Sequence, residues 1–501
     1  MNRLLAVFFA TALATNVAKV DRRYDAVESK QLVPMLSEVL HFPTVAGNAG
    51  ARQYQQAWLI RTAKELGFVA RDAGLVTEID LPASSPKAPV LGLVVHGDVQ
   101  PVDEEAWTFR PFEGRVKDGF IYGRGAADDK GPLVQALLAM KALKESGIAR
   151  THTIRLLVGS DEESDNLDMA EYLKTHTPPD YSLVLDSEFP VVAGEKAWNS
   201  LTLSARLRER GENPQPYVVG ALTAGLAASI VPDNAEIDLI WKEGTPDWSA
   251  LESSLASFKM PEGTRLVTGT KEDAFRIVVY GKSAHAGVNL TGGRNALVAL
   301  ARLMEGKLPR GGADDLLAFA RLAGQDLYGT ALGFTESDPL WGRYAVNVAT
   351  IKGDPDDEQK TLLTINIRST PPRTGAQLKE MLDGLVARFA SERGATITTG
   401  GFYGDKPLVF DPHAKLIRRL LTDYERATGT ASKPAISGGG TYAKRLPNAI
   451  AFGMWFPGKP YPGHDVDEKI AIEDLQRGTH VLIYALTDLA TGKKIVEPFK
   501  P

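Results

Sequence analysis

The sequence predicts an α/β fold interrupted by a separate α+β domain, and three features predict it. Between residues 25 and 185, segments of helical periodicity alternate with short apolar runs of the kind that buried strands show. Between about residues 200 and 410 the pattern changes to alternating segments separated by turn-rich stretches. From residue 411 the opening pattern of helix, apolar strand and helix returns. At 501 residues the chain is too long for one ordinary compact unit. The simplest division is a discontinuous domain, residues 19–199 with 411–501, interrupted by an inserted domain at 200–410.

Taken in order, Met1, Asn2 and Arg3 precede an apolar run at residues 4–13 that is too short to span a bilayer. That pattern reads as a signal peptide over residues 1–18, with small residues Ala14 and Ala18 at the two candidate cleavage points. It predicts a secreted or periplasmic protein with no membrane attachment once the signal is removed. Helices are expected at 25–41 and 51–66, and a buried strand at 89–95. A helix at 129–146, a strand at 153–159, a helix at 166–175 and a strand at 181–185 complete the first part. Strand-like segments at 200–207, 235–241 and 275–280 mark the insertion. A helix at 414–428, a strand at 449–454 and a closing helix at 472–489 end the chain.

Composition narrows the chemistry. Charged residues make up 24%, apolar residues 44%, and the net charge is −5, so no nucleic-acid partner is expected. No cysteine is present, which excludes disulfides, thiolate catalysis and cysteine-ligated zinc. Any metal must sit on the eight histidines or on carboxylates. His41, His152, His176, His413 and His480 have no ligand-like neighbours and receive no role.

Five short motifs carry the functional signal. The first, His96-Gly97-Asp98-Val99-Gln100-Pro101, follows an apolar run. Residues two apart on a strand share a side, so His96 and Asp98 can touch, and a carboxylate on a metal-bound imidazole fixes its tautomer. The second, Gly123-Arg124-Gly125-Ala126-Ala127-Asp128-Asp129-Lys130-Gly131-Pro132, opens a helix. Its adjacent carboxylates suit a cation rather than a phosphate. The third, Asp161-Glu162-Glu163, and the fourth, Leu185-Asp186, again follow apolar strands. The fifth is Gly463-His464-Asp465-Val466-Asp467-Glu468. Crevices in open α/β sheets lie at the carboxyl ends of strands, so these motifs converge on one edge with donors that zinc accepts.

These motifs, in this order, resemble the co-catalytic di-zinc exopeptidases that include dipeptidase V, carnosinases, aminoacylases and carboxypeptidase G. The likeness spans nearly the whole mature chain and is strongest toward dipeptidase V, which also shares Gly194-Glu195-Lys196 and Gly438-Gly439-Gly440-Thr441-Tyr442-Ala443. The resemblance implies a mixed-sheet catalytic domain with a lid, and two Zn2+ ions, with Co2+ or Mn2+ as alternatives. It implies that Asp128 bridges the ions, with His96 and Asp186 at one and Glu163 and His464 at the other. Glu162 is then the general base, Asp98 orients His96, and the bond between Asp128 and Asp129 is cis.

From the insertion, Gly281-Lys282-Ser283-Ala284-His285-Ala286 resembles the family's lid motif, whose histidine stabilises the oxyanion. The loop that follows, residues 288–294, departs from the family in length and lacks its proline. Arg368 resembles the arginine that clamps a substrate carboxylate, although Asn366 stands where the family more often has aspartate. Backbone amides of Gly439 and Gly440 would share that clamp. The length of the insertion resembles a doubled lid, which implies a monomer. The expected activity is hydrolysis of small unblocked dipeptides. An N-acyl amino acid amidohydrolase or carboxypeptidase of the same family remains open, as does a non-catalytic binding domain that has kept the fold.

Overall fold

The computed structural model describes residues 2–207, 215–271, 273–461 and 463–495. They fall into two compact units, Met1–Glu195 with Leu408–Pro501, and Lys196–Pro407. Each junction lies a few residues ahead of the one expected from sequence.

The first unit holds a six-stranded sheet in the order Val69–Ala73, Val76–Leu81, Thr153–Gly159, Val90–His96, Tyr181–Val184, Ala449–Ala451. From Thr153–Gly159 onward in that order the strands run parallel, and the remaining pairings are antiparallel. Val90–His96 reads Val-Leu-Gly-Leu-Val-Val-His and is buried beyond its first residue. A parallel strand covered on both faces has no solvent side, so it shows no polar alternation. Pairing sets His96 opposite Gly159 and Val94 opposite Val184, which aligns three carboxyl ends at one edge. Lys130–Glu145 is buried along residues 130–140 and packs, with Ile472–Thr491, in the same core.

Two features of this unit were not expected from sequence. The hairpin Val69–Ala73 and Val76–Leu81 escaped detection because its first strand is largely exposed and short. Arg71 ties the two strands through Glu78 and Asp80, and both contacts depend on pairing register rather than on apolar pattern. The N-terminal segment is one helix, Asn2–Arg23, followed by a wider turn at Tyr24–Glu28 and the helix Ser29–Leu40. Val17, Val20 and Tyr24 are buried. Among the described residues no helix is long and apolar enough to cross a membrane.

The second unit is built on an eight-stranded antiparallel sheet, in the order Arg265–Lys271, Ala274–Tyr280, Asn234–Trp241, Tyr217–Ala224, Ala345–Gly353, Lys360–Ser369, Ala197–Arg206, Thr398–Gly404. Alternating burial along Asn234–Trp241 turns one face inward. The helices Ala296–Leu303, Gly312–Ala323 and Gly375–Arg393 close a core of their own over it.

Candidate metal centre

The edge where the strands end carries the expected donors. His96 closes its strand, and its Nε2 lies 3.0 Å from Asp128 Oδ1 and 4.0 Å from Asp186 Oδ2. The other oxygen of Asp128, Oδ2, lies 3.1 Å from His464 Nε2, which is also 3.1 Å from Glu163 Oε1. Asp128 therefore stands between two imidazoles with one oxygen toward each. Ligand atoms of His96, Asp128 and Glu163 lie within 4.8 Å of one another, as do those of His96, Glu162 and Asp186. All six residues that the motifs assigned to metal or base belong to the first unit and meet at one place. The peptide between Asp128 and Asp129 is cis, as the resemblance implied.

Each donor is held by its own loop. His96 Nδ1–H donates to the carbonyl of Asp98 at 3.0 Å, which leaves Nε2 for a ligand role. Asp98 was expected to orient His96 through its carboxylate. That carboxylate lies 3.6 Å from Nδ1 and instead accepts the amides of Glu162 at 3.2 Å and Glu163 at 2.9 Å. Two backbone donors at a tight turn offer it better geometry than the imidazole does, so Asp98 holds the Glu162-Glu163 turn while its carbonyl orients His96.

Several residues in the quoted motifs act here without having been singled out. The Glu468 carboxylate, wholly buried, accepts the amides of Gly125, Ala127 and Asp128 at 3.1, 2.9 and 3.2 Å through Oε1. Its Oε2 accepts from Arg124 Nη1 at 2.7 Å. The loop that presents Asp128 is thus fastened to the segment that presents His464, which itself sits at φ 65°, a left-handed backbone that surrounding contacts must sustain. Asp168 accepts the amides of Ser160 at 2.7 Å and Asp161 at 3.0 Å, and a hydrogen bond from the Tyr442 hydroxyl. Gly159 has to be glycine, because a Cβ there would stand 1.9 Å from Tyr442 Oη. Tyr461, buried and stacked on Trp455, bonds to the Asp128 carboxylate. Arg445 donates to Asn166, and Asn166 reaches Glu162 Oε1 at 3.4 Å. The signal for these residues was their place inside the quoted motifs or a few residues from them, which sequence alone does not convert into contacts.

Electrostatics says what the centre is for. Burial raises the carboxyl pKa values of Asp129, Glu162 and Asp186 well above the ordinary range, with neighbouring carboxylates adding to it. Burial also pushes Asp98 up to about 7. Burial opposes ionisation of Asp128 too, yet hydrogen bonds from His464 and His96 outweigh it and hold that carboxyl well below its usual value. Against the same desolvation, the carboxylates raise His96 well above 6.5 and bring His464 to about 10. A buried cluster so rich in acid cannot stay ionised without positive charge, and here protons on two imidazoles supply it. Divalent cations bound to these oxygen and nitrogen donors would displace those protons, and the donor set is one that zinc accepts.

The remaining expected residues lie elsewhere. His285 and Arg368 belong to the second unit. There, His285 Nδ1 accepts the amides of Gly287 at 3.0 Å and Val288 at 2.9 Å, so its proton is on Nε2, the tautomer needed by a donor. Arg368, 3% exposed, donates from Nε to Asn366 Oδ1 at 2.9 Å, and Asn366 in turn donates to the carbonyl of Asn199 at 3.0 Å. Gly439 and Gly440 lie in the first unit. The amide of Gly439 donates to Ser437 Oγ at 3.0 Å. Trp107 carries the Arg124 guanidinium 5.3 Å over its ring.

The parallel strands of this mixed sheet gather buried histidines and carboxylates at their carboxyl edge, a donor set able to hold metal ions. The chain belongs to peptidase family M20/M25/M40, whose pattern matches residues 92–488. It is similar to YtjP of Bacillus subtilis (strain 168), with 31% identity over 407 residues, 80% of this chain and 83% of the relative. It is also similar to the Beta-Ala-Xaa dipeptidase of Lactobacillus delbrueckii subsp. lactis, with 28% identity over 410 residues, 81% and 83% of the two chains. Among solved structures, human carnosine dipeptidase 1 shares the fold at a TM-score of 0.60 and 15% identity, covering 95% of this chain and 98% of that one. The protein is a metal-dependent peptidase.

Proposed function

We propose that the protein is a di-zinc metallodipeptidase that hydrolyses the amide bond of unblocked dipeptides. The observation that carries this reading is Asp128, which turns one oxygen to His96 and the other to His464 at 3.0 and 3.1 Å. His96 and Asp186 would hold one ion, Glu163 and His464 the other, and Asp128 both. Held by these residues, two zinc ions would supply Lewis-acid chemistry, lowering the pKa of a water and polarising the scissile carbonyl. Glu162 would accept the proton of the attacking water on its carboxylate and return it to the leaving amine nitrogen. Asp98 and Asn166 hold the turn from which Glu162 reaches the water. In the second unit, His285 with its proton on Nε2 has the tautomer of a hydrogen-bond donor, and the planar guanidinium of Arg368 is of the kind that pairs with carboxylates.

The dipeptide class is supported by the Lactobacillus relative, a Beta-Ala-Xaa dipeptidase. A panel of free and N-acetylated dipeptides tests it, since turnover confined to acylated substrates overturns the dipeptidase reading in favour of an acylase or carboxypeptidase. Glu162→Gln is expected to abolish turnover while the protein still takes up two zinc ions. Unchanged turnover refutes Glu162 as the base. Residues 1–18 are read as an export signal on their basic start and apolar run, giving a secreted or periplasmic protein, and the N-terminal residue of the natively made protein checks this. The large second unit supports a monomer, which sedimentation of the zinc-loaded protein measures.

A further inference from the structure

We propose that Gln100 sets the coordination number at the Glu163–His464 metal position, and with it a preference for zinc over ions that favour six ligands. This rests on the two-metal reading above. Glu163 reaches the centre from the turn held by Asp98, and its two carboxylate oxygens have different neighbours. Oε1 lies 3.1 Å from His464 Nε2, on the side where an ion would be held. Oε2 accepts a hydrogen bond from Gln100 Nε2 at 2.7 Å. Gln100 is 2% exposed and follows Asp98 by two residues on the same loop, so neither partner swings freely.

A hydrogen bond to a carboxylate in a water-poor site is one of the stronger neutral-to-charged contacts. While the Gln100 amide holds Oε2, Glu163 presents a single oxygen to the ion. The position then has Asp128, Glu163 and His464 as three protein ligands, which with one water is the count that catalytic zinc sites adopt. Were Oε2 released, Glu163 could chelate through both oxygens and raise the count toward the six oxygen-rich ligands that manganese and magnesium accept. Gln100 is a positioning residue, acting through Glu163 rather than on the substrate.

Gln100→Met keeps the length of the side chain and removes the donor. The test measures the affinity of metal-free protein for Zn2+ and for Mn2+ by competition with a chromophoric chelator. It adds the visible absorption of the Co2+-loaded form, which weakens as coordination number rises. Folding is checked by circular dichroism. The expected result is a fall of about tenfold or more in the Zn2+ to Mn2+ affinity ratio at one of the two sites, with weaker Co2+ absorption. If Gln100→Met does not fold, Gln100→Asn, whose amide stops one methylene short of Glu163, carries the same expectation. A wild-type protein that binds two ions while a folded variant keeps both the ratio and the spectrum overturns the role of Gln100 alone. A wild-type protein that binds fewer than two ions overturns the two-metal reading, and this inference with it.

Discussion

Replacing Glu468 by Gln removes one charge and almost no volume, and it strikes the contact that joins two ligand loops. The carboxylate is wholly buried and accepts three amides at 2.9–3.2 Å on one oxygen and Arg124 at 2.7 Å on the other. A carboxamide has a single acceptor oxygen. If that oxygen faces the amides of Gly125, Ala127 and Asp128, its NH2 group meets the guanidinium of Arg124, which is 3% exposed and then lacks a counter-charge. If it faces Arg124, the NH2 group meets three amide donors instead. Breaking one side of a buried ion pair costs about 3–5 kcal/mol, and the lower end applies because one acceptor survives. With a urea slope of about 1–3 kcal/mol per molar, a loss near 3 kcal/mol moves the unfolding midpoint of the first unit down by about 1 M or more. The assay is urea denaturation of the metal-free protein, read as a midpoint because a chain of two units need not unfold in one step. Zinc retention on dialysis should fall as well, by about tenfold or more in affinity, since Asp128 loses the partner of its own amide. An unchanged midpoint refutes the reasoning. Asp467, whose carboxylate bonds to Thr108 at the surface, provides the control, with Asp467→Asn costing less than about 1 kcal/mol.

Two further outcomes follow from contacts on the page. Gly159→Ala would bring a Cβ to 1.9 Å from Tyr442 Oη and 2.5 Å from Asp168 Oδ2, so overpacking of about 1–3 kcal/mol is expected, together with weaker zinc binding as the Glu162-Glu163 turn shifts. Wild-type stability and zinc affinity in that variant would count against the packing argument. His480 contacts Asp21 at 2.6 Å and Asp25 at 3.3 Å, and the hydrogen bond to Asp21, opposed by burial, raises its pKa. A raised folded-state value means the imidazolium stabilises the fold fully below the unfolded value of about 6.5 and loses that effect as pH climbs through the raised value. The stability gap between wild type and His480→Gln, measured by urea denaturation, should therefore shrink from acid to alkaline pH. A gap that widens contradicts the assignment.

The legible part of this protein was the part that local chemistry dictates. Apolar runs such as Val90–His96 and Thr153–Gly159 announced buried strands, and the motif residues at their ends announced ligands, because a strand's carboxyl end is where a side chain can be both fixed and exposed to a crevice. The family resemblance of those motifs named His96, Asp128, Glu163, Asp186, His464 and Glu162, and the folded chain brings them together. The hairpin Val69–Ala73 and Val76–Leu81 could not, since its first strand is held by Arg71 bonding across the sheet rather than by a pattern along the chain.

Tertiary structure alone decided which group serves which. Sequence spacing brings Asp98 near His96, but whether its carboxylate meets the imidazole or the amides of Glu162 and Glu163 depends on where a loop more than sixty residues away comes to rest. The same holds for Glu468 beneath Asp128, Tyr442 against Asp168, and Gln100 on Glu163. A hydrogen bond is made over a few tenths of an ångström and a few tens of degrees, whereas a sequence sets residue types and local direction. The donors of the metal centre are written in the chain; their partners are a consequence of how it closes on itself.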